Sequence, residues 1–140
     1  MSQLESKYSD LALFLLRIGV GVIFIVAGWG KLSGLWEHVF NDVDWGFVNA
    51  VSGIGFPFPF FFATLVALIE FFGGIMVLLG YYTRFFTPFL AFIMIIAIFF
   101  VKWEAGFSDM RIDITLLLMS CSLFILGSGA YSVDHKLENR

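Results

Sequence analysis

Four runs of almost uninterrupted apolar residues divide the chain, at 11–29, 58–79, 85–101 and 113–129. A bilayer's hydrocarbon core is crossed by roughly 20 helical residues, so each run has the length of one crossing. Ser9 and Asp10 precede the first run and can cap a helix start. Pro57 and Pro59 precede the second run, and Gly80 follows it, a residue that ends helices in a left-handed turn. Pro88 is placed in or near the first turn of the third run, where a missing N–H costs little. The fourth run frays through Gly127, Ser128 and Gly129. Only 81–84 separate the second and third runs, which predicts a tight antiparallel hairpin. The pattern therefore predicts an all-α, polytopic transmembrane four-helix bundle forming one membrane domain over 1–140.

The stretch 30–57 is too polar to span and too aromatic for a free linker. An interfacial segment between helices 1 and 2 is expected there, partly helical over 36–51 and lying at the membrane surface or across the bundle mouth. Residues 130–140 form a tail. With four crossings, Trp29, Trp36, Trp45 and Trp103 fall on one face and Tyr8, Tyr81, Tyr82 and Tyr131 on the other, as expected for residues that favour the headgroup levels. The Tyr side carries Lys7, Arg84, Lys136 and Arg140, against Lys31, Lys102 and Arg111 on the Trp side. That excess places both termini in the cytoplasm by the positive-inside rule.

Composition agrees: 60% of the 140 residues are hydrophobic and 14% are charged, which excludes a soluble globular chain. A net charge of -3 without a basic cluster leaves no footprint for nucleic acid. A single cysteine, Cys121, closes no internal disulfide, two histidines with one cysteine cannot build a protein-only zinc site, and His38 and His135, expected on opposite faces, cannot jointly ligate one haem.

Charges inside apolar runs carry the candidate chemistry. A charge near the bilayer centre costs at least about 2.5 kcal/mol, so it usually faces protein or water and has a partner. Arg17 lies in the first run and Glu70 in the second, and an ion pair between them is expected. Arg17 shares a helical face with Asp10, Gly21, Gly28 and Lys31, and Glu70 shares one with Ala63, Ala67 and Gly74. Small residues let membrane helices approach closely, so these are packing faces. Asp113, Ser120, Gly127, Tyr131 and Asp134 form a polar seam along the fourth run. A pair that only fixes helix register explains Arg17 and Glu70 equally well. Lys31 and Asp113, near the Trp-side interface, can be read as snorkelling groups. Lys102, Glu104, Asp109 and Arg111 read as a solvated loop, and Cys121 as a packing residue.

The ordered motifs LRIGVGVIFIVAGWGKL, GFPFPFFFATLVALIEFFGGIMVLLGYYTR and GSGAYSVD resemble the DoxX family of small bacterial membrane proteins. The resemblance extends from about residue 11 to 134. It rests on Arg17, the turn 28–31, Glu70 with Gly73 and Gly74, Gly80 with Thr83 and Arg84, and the final Gly, Tyr, Ser and Asp set. Ser128 departs from it, since proline commonly stands there in the family, and so does Asp113, where the family often has glutamate.

The resemblance implies a bundle of the bacterial inner membrane linked to redox work, either thiosulfate:quinone oxidoreductase or oxidative-stress defence. A quinone needs an apolar cleft for its tail and one or two polar groups for its head. Arg17, Lys31, Glu70 and Asp113 are the candidate contacts or buried polar network, with Arg84, Tyr131 and Asp134 secondary and Trp29, Phe71 and Phe72 as walls. No flavin, haem or iron–sulfur motif is present, so catalysis would need a partner subunit or a bound quinone. Besides the lipid bilayer, a protein partner or a homo-oligomer is expected. The competing readings are a noncatalytic scaffold or assembly factor and, behind it, a small transporter.

Overall fold

A computed structural model describes residues 3–138, so Arg140, counted above in the charge balance, lies outside the described residues. The order of elements is α1 (Gln3–Asn41), α2 (Gly46–Gly53), α3 (Pro59–Leu79), α4 (Thr83–Ile96) continued by a π-turn (Ala97–Val101), α5 (Phe107–Leu126) and α6 (Val133–Glu138). Among the described residues there is no strand. Pro59 opens α3 at a position where its missing N–H is harmless. Gly80 closes α3 at φ +70, with the Tyr81 N–H returning to the Met76 carbonyl at 2.9 Å, the longer bond of a Schellman cap. Thr83 then starts α4, so the predicted hairpin forms, and Pro88 sits inside α4, in its second turn. The π-turn is closed by the Lys102 N–H on the Ala97 carbonyl, five residues back.

α1 packs chiefly on α3 and α4 on α5, while α3–α4 and α1–α5 contacts close the bundle. Small residues bring α1 and α3 together as predicted. A Cβ on Gly28 would collide with the Phe71 backbone, lying 2.7 Å from its Cα, and one on Gly21 would lie 2.7 Å from the Leu78 Cβ. The main core joins Leu13, Val20 and Phe24 of α1 to Val77, Leu90, Met94, Leu116 and Leu123. A second cluster sets Trp45 and Val51, from α2 and its approach, against Ala63 and Ala67 of α3. Phe85, Phe89 and Phe92 of α4 point outward, as do Val22 and Val26 of α1, giving the surface a bilayer requires. Three described helices are long and apolar enough to cross a membrane: α1, α3, and α4 with its π-turn. α5 has the length, 20 residues, and carries Asp109, Arg111 and Asp113 in its first two turns. The protein is thus an all-α membrane protein built on four long helices.

α1 differs most from expectation. It begins before Ser9 and Asp10, which therefore do not cap it, and it runs 39 residues to Asn41 rather than stopping near Trp29. The packing shows where the extra length goes. Gly28 faces Phe71 and Gly21 faces Leu78, seven residues apart on each helix. Thirteen residues after Gly28, Asn41 comes level with Phe58, thirteen before Phe71. α1 therefore flanks all of α3, and the connection between the two shortens to 42–58. Trp29, level with Glu70, lies beside the middle of α3 and not at its end, and its ring meets Phe71 at 5.9 Å.

Two glycines of α1 give opposite expectations. Gly28→Ala forces the helices apart and should destabilise the protein by about 1–3 kcal/mol, the usual cost of overpacking. Gly30→Ala meets nothing within 4 Å and should stabilise by about 0.5–1 kcal/mol through helix propensity. Thermal unfolding midpoints in one detergent would move in opposite directions; equal shifts would refute the stated packing.

Candidate functional site

Glu70 lies at the middle of α3 on the stripe of Ala63, Ala67, Gly74 and Val77 that is turned inward. Its carboxylate, 3% exposed, accepts a hydrogen bond from the Lys31 ammonium, which is 24% exposed. Gly28 lets this pair form, because it allows α1 to approach the α3 backbone one turn before Lys31. The expected Arg17–Glu70 pair is not made. With Trp29 level with Glu70, Arg17 stands twelve residues away along α1, about 18 Å at 1.5 Å per residue, beyond the reach of either side chain.

A second pair, Lys102 Nζ to Asp113 Oδ2 at 2.6 Å, joins the end of the π-turn to the second turn of α5. Lys102 is thus a partner of a buried carboxylate and not merely part of a solvated loop. The signal available in the sequence was the short link between the third and fourth runs, which brings residues on either side of it together. Glu70 interacts electrostatically with Lys102 and Asp113 as well as with Lys31. Two ion pairs, one between α1 and α3 and one between the residue after the π-turn and α5, thus lie within electrostatic range of each other. Such neutralisation is what makes charges tolerable among apolar helices.

An aromatic ring borders the Lys31–Glu70 pair: Phe47 of α2 presents its face to Lys31, 5.1 Å from Nζ to centroid, while Phe71, next to Glu70 in the chain, meets the Trp29 ring at 5.9 Å. Phe47 belongs to the cluster anchored by Trp45, which is 5% exposed. Trp45 seats against α1 at Gly34, where a Cβ would lie 2.8 Å from the indole Nε1. Phe72 and Trp29, both expected as walls, are exposed on the outer surface.

Arg17 belongs to a different assembly at the other end of the bundle. Arg17 is 1% exposed; its guanidinium donates from Nη2 to the Tyr131 carbonyl and lies 5.6 Å from the Phe14 ring centroid, while Nε and Nη1 have no hydrogen-bond partner. It presses against Gly80, so tightly that a Cβ there would overlap Nη1. Asp134 accepts from the Tyr82 N–H at 2.9 Å and the Thr83 N–H at 3.4 Å, capping α4. Its own N–H donates to the Gly80 carbonyl at 3.0 Å. Asp10 accepts from the Ala130 N–H at 2.9 Å, and Arg84 donates to the Ile125 carbonyl at 3.3 Å. The secondary candidates Tyr131 and Asp134 thus stand beside Arg17 in a clasp that ties the α3–α4 turn and the α5–α6 link to α1, while Arg84, exposed, ties α4 to the end of α5. In the α5 seam, Asp113 and Ser120 are buried, the Ser120 hydroxyl without a partner. No group of three or more potential metal ligands exists among the described residues.

Comparison with known proteins places these features in context. The family model for DoxX matches residues 12–103. An Escherichia coli (strain K12) protein named "Inner membrane protein YqjF" is 31% identical over 138 residues, covering 96% of this chain and 98% of its own. A Bacillus subtilis (strain 168) protein named "Putative oxidoreductase CatD" is 33% identical over 130 residues, covering 92% of this chain and 89% of its own. No solved structure matches. The stretch matched by the family model contains Arg17, Lys31, Glu70, Gly80, Arg84 and Lys102, together with the whole α1–α3 packing face. By that match, and by relatives aligned over nearly its full length, the chain belongs to the DoxX family.

Proposed function

We propose that this protein is a quinone-interacting subunit of a redox complex in the bacterial inner membrane, crossing it four times with both termini in the cytoplasm. The observation that carries the reading is the Lys31–Glu70 pair, its carboxylate buried in the bundle and its ammonium over the face of Phe47. The donor chemistry of these residues fits a quinone head. An ammonium has three donor hydrogens. One goes to Glu70, which leaves others for a head-group carbonyl. Aromatic rings favour offset or edge contacts with a second ring. Bound quinone supplies an acceptor for two electrons and two protons. The chain's own part is to orient the head through Lys31 and to hold or pass a proton at a Glu70 oxygen. The oxidoreductase name of one relative supports a redox setting. Electrons would come from a partner subunit, because the sequence carries no flavin, haem or iron–sulfur motif.

A noncatalytic scaffold is the second reading, favoured by the Arg17 clasp, where charge serves only to hold elements together. Lipid extraction from protein purified in mild detergents separates the two. The redox reading expects about one quinone per chain; quinone at no more than the level of an unrelated membrane protein purified alongside would overturn it in favour of the scaffold.

A further inference from the structure

Lys31 has two partners: the Glu70 carboxylate and the face of Phe47. Phe47 does not come from one of the four long helices. It lies on α2, the eight-residue helix between Asn41 and Pro59, and its position is tightly determined. Trp45, two residues earlier, is inserted against Gly34, edge-on to Phe60 at 6.2 Å and tilted against Phe47 at 5.9 Å. Val51 and the Ala63–Ala67 stripe complete the seat. Such packing would be excessive for a loop that only connects two helices. It holds one aromatic ring over one ammonium at the edge of the ion pair. Phe47 and Lys31 are both only partly buried, so a second ring can approach them without displacing the core.

We infer that Phe47 determines ligand specificity at this site: a planar, electron-poor ring stacks on its face while a carbonyl of that ring accepts a hydrogen bond from Lys31. The inference rests on the quinone reading above and adds a residue outside the four long helices. An electron-poor ring is attracted to the electron-rich face of phenylalanine as a cation is, and in this geometry the ligand ring shares that face with the ammonium. Aliphatic side chains of the same bulk would fill the space without this attraction.

The test uses the full chain in lipid nanodiscs with Trp29→Phe, Trp36→Phe and Trp103→Phe, so that Trp45, packed on Phe47, reports on the site. The probe is decylubiquinone, and saturable quenching of tryptophan fluorescence is measured. Phe47→Leu should weaken the saturable component by about five- to tenfold, as expected for loss of about 1–1.4 kcal/mol of ring contact. Phe47→Tyr, which keeps the ring, should hold binding within about twofold of the parent. Saturable quenching that is unchanged in Phe47→Leu would overturn the inference and leave the quinone reading standing. Absence of saturable quenching in the parent would overturn both. Should Phe47→Leu fail to fold, Phe47→Met serves in its place, with the unfolding midpoint of each variant recorded alongside.

Discussion

Replacing Gly80 with alanine is expected to cost about 3–5 kcal/mol, a large part of the stability of a domain this size, and to lower the protein's abundance in the membrane fraction several-fold. Two effects combine. Gly80 stands at φ +70, and a Cβ in the left-handed region costs about 1–2 kcal/mol. The same Cβ would overlap the Arg17 guanidinium and lie 2.6 Å from the Ser132 Cβ, so Arg17 must leave the Tyr131 carbonyl and the α5–α6 link must lift away. A buried cation deprived of its acceptor accounts for the larger share. Gly55→Ala provides the reference, since Gly55 has φ +83 and nothing within 4 Å of an added Cβ. It should show the backbone cost alone. If unfolding midpoints and membrane abundance for the two variants coincide, the clasp contributes nothing beyond turn geometry, and the structural role given to Arg17 is wrong.

The same clasp explains why the sequence misled about Arg17 while disclosing so much else. The helical faces are legible because they obey simple periodicity: Gly21 and Gly28 on α1 and Ala63, Ala67 and Gly74 on α3 do line the interface. So is the α3–α4 turn, where Gly80 has both the required conformation and the required absence of a side chain. The end of α1 was not legible. Hydropathy falls after Trp29, and the polar run through Lys31, Ser33, Glu37 and His38 looks like the edge of the membrane. Yet no proline interrupts it, and Gly30 and Gly34 do not break a helix supported by a neighbour. Hydropathy reports what surrounds a residue and not whether the backbone continues to wind. The twelve extra residues move α1 along α3 by more than three turns. That displacement puts Lys31 where Arg17 was expected and carries Arg17 to the far end of the bundle. Lys102 was missed for a related reason, because a charge after an apolar run reads as solvated until the facing helix shows the carboxylate it meets.

Lys31→Met is expected to destabilise the protein by about 3–5 kcal/mol, because it leaves the Glu70 carboxylate buried without its partner. Glu70→Gln should cost less, since Lys31 is the more exposed member and its ammonium can turn toward water. The double variant carrying Lys31→Met and Glu70→Gln contains no unpaired charge. Neutral replacements of a buried pair often match the original, so its unfolding midpoint should return to within about 1 kcal/mol of the parent. The cycle of four proteins therefore yields a coupling energy of several kcal/mol, far above the 0.5 kcal/mol scatter of independent sites. Near-additive losses would show that the two residues do not interact as described. The double variant also separates structure from function. Because it is folded, loss of its bound quinone in the lipid-extraction assay assigns the pair to the ligand. A double variant that retains quinone at the parent level would confine Lys31 and Glu70 to holding α1 against α3, and the head-group contacts would have to lie elsewhere in the bundle.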